Sequence, residues 1–288
     1  MKSSYEDLIV FNPNERDLRW RYAPVGQCIY CGARSYSQSQ PDRRLGLEHI
    51  IPESLDGRYL LPEASCAKCE GITSSFEQKV AKRVFGPLRA HFNLPSKRPR
   101  ERPSTFPVSA YFEGAEIPVS VEVPVAQHPL SIALVKMARP YFFRKKKWDE
   151  AWERRLIVIY PGGMAVANAR MNEIAKRLGA RRIEIRCGVA FQELVLLLAK
   201  IGHSMACAML GLNAFYPFLP ELIIRKDSDY LRMFVGGCSE IITHDRDSMH
   251  DIILYRVKRG KNIFLVADIS LFSNLNAPYY SVVVGRMY

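Results

Sequence analysis

Two periodicities alternate along the chain. In the run Leu47-Glu48-His49-Ile50-Ile51, an acid–histidine pair sits among apolar, mostly β-branched residues, and Pro52 closes it. This pattern predicts a short strand, with Glu48 and His49 on opposite faces unless a bulge turns one of them. Further on, Ile72, Phe76, Val80 and Val84 recur at intervals of four, which predicts a helix opening at or just after Cys69. Glu70 would then stand at the positive end of that helix.

Beyond residue 105 the pattern predicts a hairpin of 108–113 and 117–123 about Gly114, a helix over 129–137, a strand at 156–160, a helix over 168–178 ending at Gly179, and a strand at 182–187. Phe191, Leu194, Val195, Leu198, Ile201, Met205 and Met209 fall at helical spacing on the longest predicted helix, where His203 reads as a buried structural imidazole. Strands over 231–235, 252–257, 263–272 and 279–284 complete the chain. Proline and charge replace periodicity over residues 94–105, which marks a boundary. The expected organisation is a lead-in at 1–24, a compact unit at 25–93, a basic proline-rich linker at 94–105 and a larger α+β domain at 106–288. The fold class is therefore α+β.

The chain has 288 residues, 48% of them hydrophobic, enough for a substantial core, and seven cysteines. Four of the cysteines form two pairs, Cys28-Ile29-Tyr30-Cys31 and Cys66-Ala67-Lys68-Cys69, on either side of the Glu48-His49 strand. Each C-x2-C turn aims two sulfurs at one point, and two such turns close a tetrahedron around zinc. A closed site of this kind is structural and leaves no coordination position for chemistry. Cys187, Cys207 and Cys238 are scattered among apolar residues, so no disulfide framework is indicated, in keeping with a reducing cytoplasm.

With these features together, residues 25–103 resemble the HNH endonucleases of the ββα-metal fold. The resemblance rests on the first C-x2-C, Glu48-His49-Ile50-Ile51-Pro52, the turn at Asp56-Gly57, and the second C-x2-C leading into a helix. It implies a small zinc-stapled nuclease domain in which Glu48 and Glu70 ligate a catalytic Mg2+ or Mn2+ and His49 is the general base; Glu77, two helical turns from Glu70 on a similar face, is the reserve ligand. Glu70 departs from the family's usual Asn or His. The family's middle Asn, which braces the loop beneath the histidine, has no counterpart, because residues 45–70 contain no Asn.

Charge agrees with such a partner. The formal net charge is +12, which favours a polyanion, nucleic acid ahead of a membrane. From Lys68 to Arg102 there are nine Lys or Arg against three Glu, half of the molecule's excess, next to the proposed site. Lys79, Lys82, Arg83, Arg89, Lys97, Arg98, Arg100 and Arg102, with Arg43 and Arg44 before the strand, are the candidate phosphate contacts. The same composition also suits a solvated linker. Arg144 to Trp148 is a second basic cluster, and His244, Asp245, Asp247 and His250 form a loop cluster more suited to solubility than to metal. The most apolar window, 194–212, is interrupted by Lys200, Gly202, His203 and Ser204, which favours a core helix over a membrane span. The resemblance favours DNA as substrate. The alternatives are a zinc-dependent nucleic-acid-binding module without catalysis, and a defence- or toxin-type effector nuclease gated by the C-terminal domain. Oligomeric state is not legible.

Overall fold

The computed structural model describes residues 8–9, 20–144, 154–238 and 248–288. Strand β1 (Leu8–Ile9) joins a sheet formed by the end of the chain, and β2 (Trp20–Arg21) runs parallel to β4. Strands β3 (Gly46–His49) and β4 (Tyr59–Ser65) form the expected antiparallel hairpin, with a bulge between Gly46 and Glu48. The turn between them is tight. Asp56 takes a left-handed conformation, and Gly57 lies so close to Ile51 that a Cβ there would fall 1.9 Å from the Ile51 carbonyl oxygen. Leu55 is thereby driven fully into the core.

Helix α1 (Ala67–Arg83) starts directly from β4, with Cys66 still extended as its N-cap. Phe76, Val80 and Val84 are buried as the spacing predicts, Thr73 and Ala81 join them, and Ile72 is only partly buried. Helix α2 (Gly86–His91) follows, with proline in its first turn where the missing N–H costs nothing.

The remainder alternates strands and helices, consistent with the α+β class. Strands β5 (Thr105–Tyr111) and β6 (Val119–Pro124) form the expected hairpin, and β7 (Ile132–Met137) pairs with β8 (Arg154–Ile159). Helix α3 (Met164–Leu178) ends at left-handed Gly179 and leads into β9 (Arg182–Ile185), which lies on β5. Helix α4 (Phe191–Leu210), β10 (Phe215–Pro217), α5 (Pro220–Arg225), α6 (Ser228–Leu231) and β11 (Val235–Gly237) come next. The last strands, β12 (His250–Arg259), β13 (Asn262–Leu271) and β14 (Tyr280–Met287), build a sheet ordered β1-β12-β13-β14-β10, with β11 also on β14.

Two expectations are corrected. Residues 129–137 do not form a helix, because 132–137 form strand β7; an apolar run this short carries no period that separates a buried helix from a buried strand, and pairing with β8 decides it. Residues 231–235 are not one strand: the Asp227 carboxylate accepts from the Tyr230 N–H and caps α6, which ends at Leu231, so the strand begins only at Val235.

Helix α4 is the centre of the molecule. By length and composition alone it could cross a membrane, yet 78% of its apolar window is buried inside the protein. One side meets α1, and the other lies on β13 and β14, where Gly202 allows close approach: a Cβ there would sit 3.0 Å from Val282 Cγ1. A single hydrophobic cluster runs from Cys28, Ile50 and Phe76 through Leu198 and Ile201 to Val282. Residues 94–105 thread over its surface with only Leu94 buried, and the regions on either side of them share this core.

Candidate metal centre and the hairpin it anchors

The first cysteine pair is a turn in which the Gly32 N–H donates to the Cys28 carbonyl (2.9 Å) and the Cys28 N–H to that of Ala33 (2.7 Å). It is tied to β4 by the Ile29 N–H, which donates to the Ala64 carbonyl at 2.9 Å. The second pair straddles the junction of β4 and α1. As a result the sulfurs of Cys28, Cys31, Cys66 and Cys69 all lie within 4.8 Å of one another, with Cys31 and Cys66 3.6 Å apart. Three of the four are buried and Cys31 forms the exposed rim. A hydrogen bond from Cys69 lowers the Cys28 thiol and raises that of Cys69, so the sulfurs share their protons as one group. Four convergent soft donors fit a tetrahedral ion such as zinc.

The cluster holds the root of the hairpin, and the hairpin divides the acid–histidine pair. Glu48 points inward and is buried, whereas His49 is half-buried on the other face, as strand alternation predicts. Inside, Glu48 Oε1 lies 2.6 Å from Lys200 Nζ, and Glu77 Oε1 lies 3.0 Å from the same ammonium. Lys200 also donates to the carbonyls of His49 and of Ile50, the latter at 3.2 Å. Burial works against the ammonium, but the two carboxylates more than offset this and hold its pKa above the ordinary lysine range.

Glu70 is in a different setting. It lies in the first turn of α1, accepts from the Tyr36 hydroxyl at 3.0 Å, and stands over Gly46, whose Cβ would lie 3.0 Å from Glu70 Oε2. Glu70 and Glu77 are two helical turns apart, roughly 10 Å along the axis. Glu48 and Glu77 converge on Lys200, whereas Glu70 stands with Tyr36 beside Gly46 at the start of β3. The reason is electrostatic, since an inward-facing carboxylate at Glu48 needs a buried cation and α4 supplies one.

Lys200 belongs to a polar stripe that the sequence pattern did not assign. Lys200, His203 and Ser204 are spaced i, i+3, i+4 and so share one face of an otherwise apolar helix. The His203 Nε2 pairs with the Ile29 carbonyl at 2.8 Å, Ser204 Oγ pairs with the Tyr30 hydroxyl at 3.2 Å, and the Tyr22 hydroxyl donates to Met205 Sδ at 3.7 Å. Burial lowers the His203 imidazole to about 4, so it is neutral and structural. The polar residues that argued against a membrane span are the contact between α4 and the cysteine-bearing unit.

The candidate phosphate contacts separate into three groups. The Arg89 guanidinium donates to the carbonyls of Ser54 (2.7 Å), Ala81 (3.5 Å) and Pro95 (3.3 Å), and Arg102 donates to that of Leu94 (2.5 Å), so both are spent on the backbone. Lys82, Arg83, Lys97 and Arg100 are exposed. Arg43 stacks 3.9 Å from the Tyr36 ring centroid, and Arg44, Lys79 and Arg98 pair with Glu63, Glu193 and Glu101 in exposed or partly exposed salt bridges. Arg144 stacks on Tyr141, while residues 145–148 of that basic cluster lie outside the described residues. So do His244, Asp245 and Asp247; His250 is buried, with Nε2 2.7 Å from the Leu55 carbonyl, and ties the C-terminal sheet to the hairpin turn.

Comparison with protein-family models, with curated proteins and with solved structures finds no match to this chain.

Proposed function

We propose that this chain is a metal-dependent endonuclease that hydrolyses phosphodiester bonds of nucleic acid, with DNA the favoured substrate. The observation that carries the reading is the unit β3–turn–β4–α1 rooted in four clustered cysteines, which leaves His49 half-buried at the end of β3. This is the order of elements expected from the Glu-His-Ile-Ile-Pro stretch and its flanking cysteine pairs.

In this reading the His49 imidazole takes the proton from the attacking water. Glu70 is the hard oxygen donor for Mg2+ or Mn2+, since Glu48 and Glu77 are engaged by Lys200. The divalent ion, when bound, supplies Lewis-acid stabilisation of charge on the phosphate and the departing oxygen. Lys82, Arg83, Lys97 and Arg100 hold the backbone of the nucleic acid electrostatically.

The test is cleavage of supercoiled plasmid by the full chain with Mg2+, Mn2+ or no divalent ion, beside His49→Ala and Glu70→Gln. The expected result is metal-dependent nicking that falls by about 10²–10⁴-fold in His49→Ala, with the cysteine-bound metal retained. Equal nicking by wild type and His49→Ala would overturn the assignment of the base. A second reading is favoured by the closure of Glu48 and Glu77 on Lys200: a cysteine-stapled nucleic-acid-binding module without hydrolysis. It predicts binding without added Mg2+ or Mn2+ and no cleavage with either.

A further inference from the structure

Just past β3 the backbone leaves the ladder, its last rung being the Ile50 N–H, which donates to the Tyr59 carbonyl at 3.0 Å. His49 pairs with Leu60 as the last residue of the strand, and Pro52 has no N–H with which to continue. The carbonyls of His49 and Ile50 at this point receive the Lys200 ammonium, which reaches them from α4. An ammonium has three protons to donate, and here four oxygens surround it: Glu48 Oε1, Glu77 Oε1 and the two carbonyls.

Burial of this lysine is not explained by stability alone. Its neighbours Leu197, Leu198, Ala199 and Ile201 are fully buried and apolar, and an apolar side chain with neutral partners commonly serves such a position as well or better. What a buried ammonium adds is direction, because its donors hold two successive peptides, His49–Ile50 and Ile50–Ile51. Helix α4 is itself fixed by His203 on the Ile29 carbonyl, by Ser204 on Tyr30, and by the sheet behind Gly202. The line of contacts therefore runs from the C-terminal sheet through α4 to the backbone that carries the imidazole.

We infer that Lys200 is a positioning residue for His49, so that the candidate site is composite and needs the C-terminal region to hold its base in place. The inference rests on the proposed hydrolytic role of His49 for its meaning in turnover, but the bracing itself is a separate physical claim. It assigns α4 a part in the reaction without contact with substrate. It also runs against a simple gating role for the C-terminal region, since removal of that region would take the brace away.

The experiment uses the full chain with isotope-labelled histidine. Only six histidines are present, so the His49 imidazole signal is assigned by its disappearance in His49→Ala. The key variant is Lys200→Met with Glu48→Gln, which removes the two most deeply buried charges together and leaves the more exposed Glu77. With the cysteine-bound metal content and circular dichroism unchanged, we expect the His49 signal to shift and broaden into several conformers. Turnover is expected to drop roughly 10- to 100-fold with KM little altered, the size of effect that a misplacement of about 1 Å produces. Glu48→Gln alone keeps the ammonium and is expected to leave the His49 signal in place; an equal shift there would assign the effect to the carboxylate and overturn the inference.

A folded, metal-loaded double variant with the wild-type His49 signal also overturns it. Should the Met variant lose its metal, Lys200→Gln with Glu48→Gln carries the same test, because the shorter amide cannot serve both carbonyls. If the wild type cleaves no nucleic acid with any ion, the proposed function fails, while the histidine spectra still decide whether Lys200 holds His49.

Discussion

Lys200 Nζ sits 2.6 Å from Glu48 Oε1, and the two side chains are 1% and 5% exposed, so the central helix and the inner face of the hairpin are joined by a dry ion pair. Glu77 completes it from α1 at 3.0 Å. A buried pair is costly to break from one side because the partner keeps its charge without compensation. Lys200→Met alone should therefore lower stability by about 3–5 kcal/mol. Lys200→Met with Glu48→Gln should cost less than half as much, with Glu77, the most exposed of the three, as the remaining charge. Urea unfolding of both variants checks the order; equal losses would show that the carboxylates do not depend on Lys200.

Acid should destabilise the protein through two buried imidazoles. Burial lowers His203 and His250 to about 4, well below the ordinary imidazole value of about 6.5. Both are neutral in the native state and take up protons on unfolding, so their contribution is complete above pH 6.5 and drains away as pH falls toward 4. At pH 5 each accounts for a loss of ~2 kcal/mol relative to pH 7. His250→Gln keeps a donor for the Leu55 carbonyl but does not titrate. The difference in unfolding free energy between pH 7 and pH 5 should shrink by ~2 kcal/mol in that variant; an unchanged difference would remove His250 from the account.

The cysteine cluster should hold one zinc-like ion per chain, measurable by elemental analysis of the purified protein. Cys69→Ser removes a buried sulfur at the start of α1 and should abolish stoichiometric binding. Structural zinc in small peptides is worth about 10–16 kcal/mol in apparent terms, and even a fraction of this should appear as a large fall in Tm on chelation. Because the cysteines belong to the same hydrophobic cluster as α4, chelation should weaken the whole molecule rather than release the hairpin alone. Two separate unfolding transitions after chelation would contradict this.

Arg89 and Lys82 lie seven residues apart in a basic stretch but should respond in opposite ways. Arg89→Ala strands three carbonyls that its guanidinium now serves, and should cost about 1–3 kcal/mol in stability. Exposed Lys82→Glu and Lys97→Glu should leave stability within about 0.5 kcal/mol. If these lysines meet phosphate, each reversal should weaken nucleic-acid binding and reduce the salt slope by about 0.9 per lost contact. A slope unchanged in both variants would place the bound strand elsewhere.

Local chemistry made much of this protein legible from its sequence. The two C-x2-C pairs specify the sulfur cluster because a knuckle is built from adjacent residues. Pro52 and Asp56-Gly57 specify the hairpin turn for the same reason, and the four-residue apolar spacing after Cys69 specifies α1. The opposite orientation of Glu48 and His49 follows from strand geometry alone. The class, α+β, follows from the succession of periods.

What only the tertiary structure decided are the relations between distant segments. Whether residues 129–137 were helix or strand depended on β8, a partner that a single segment cannot reveal. Whether Glu48 and Glu77 faced an ion or a side chain depended on Lys200, more than 120 residues beyond either. Its one sequence trace was the i, i+3, i+4 stripe with His203 and Ser204 on an apolar helix. Charge alone did not distinguish Arg89, half-buried against carbonyls, from Lys82, which is exposed. A side chain's chemistry is written in its own residue, but its protonation, partners and availability are set by what the fold brings within a few ångströms. In this chain that neighbour is helix α4.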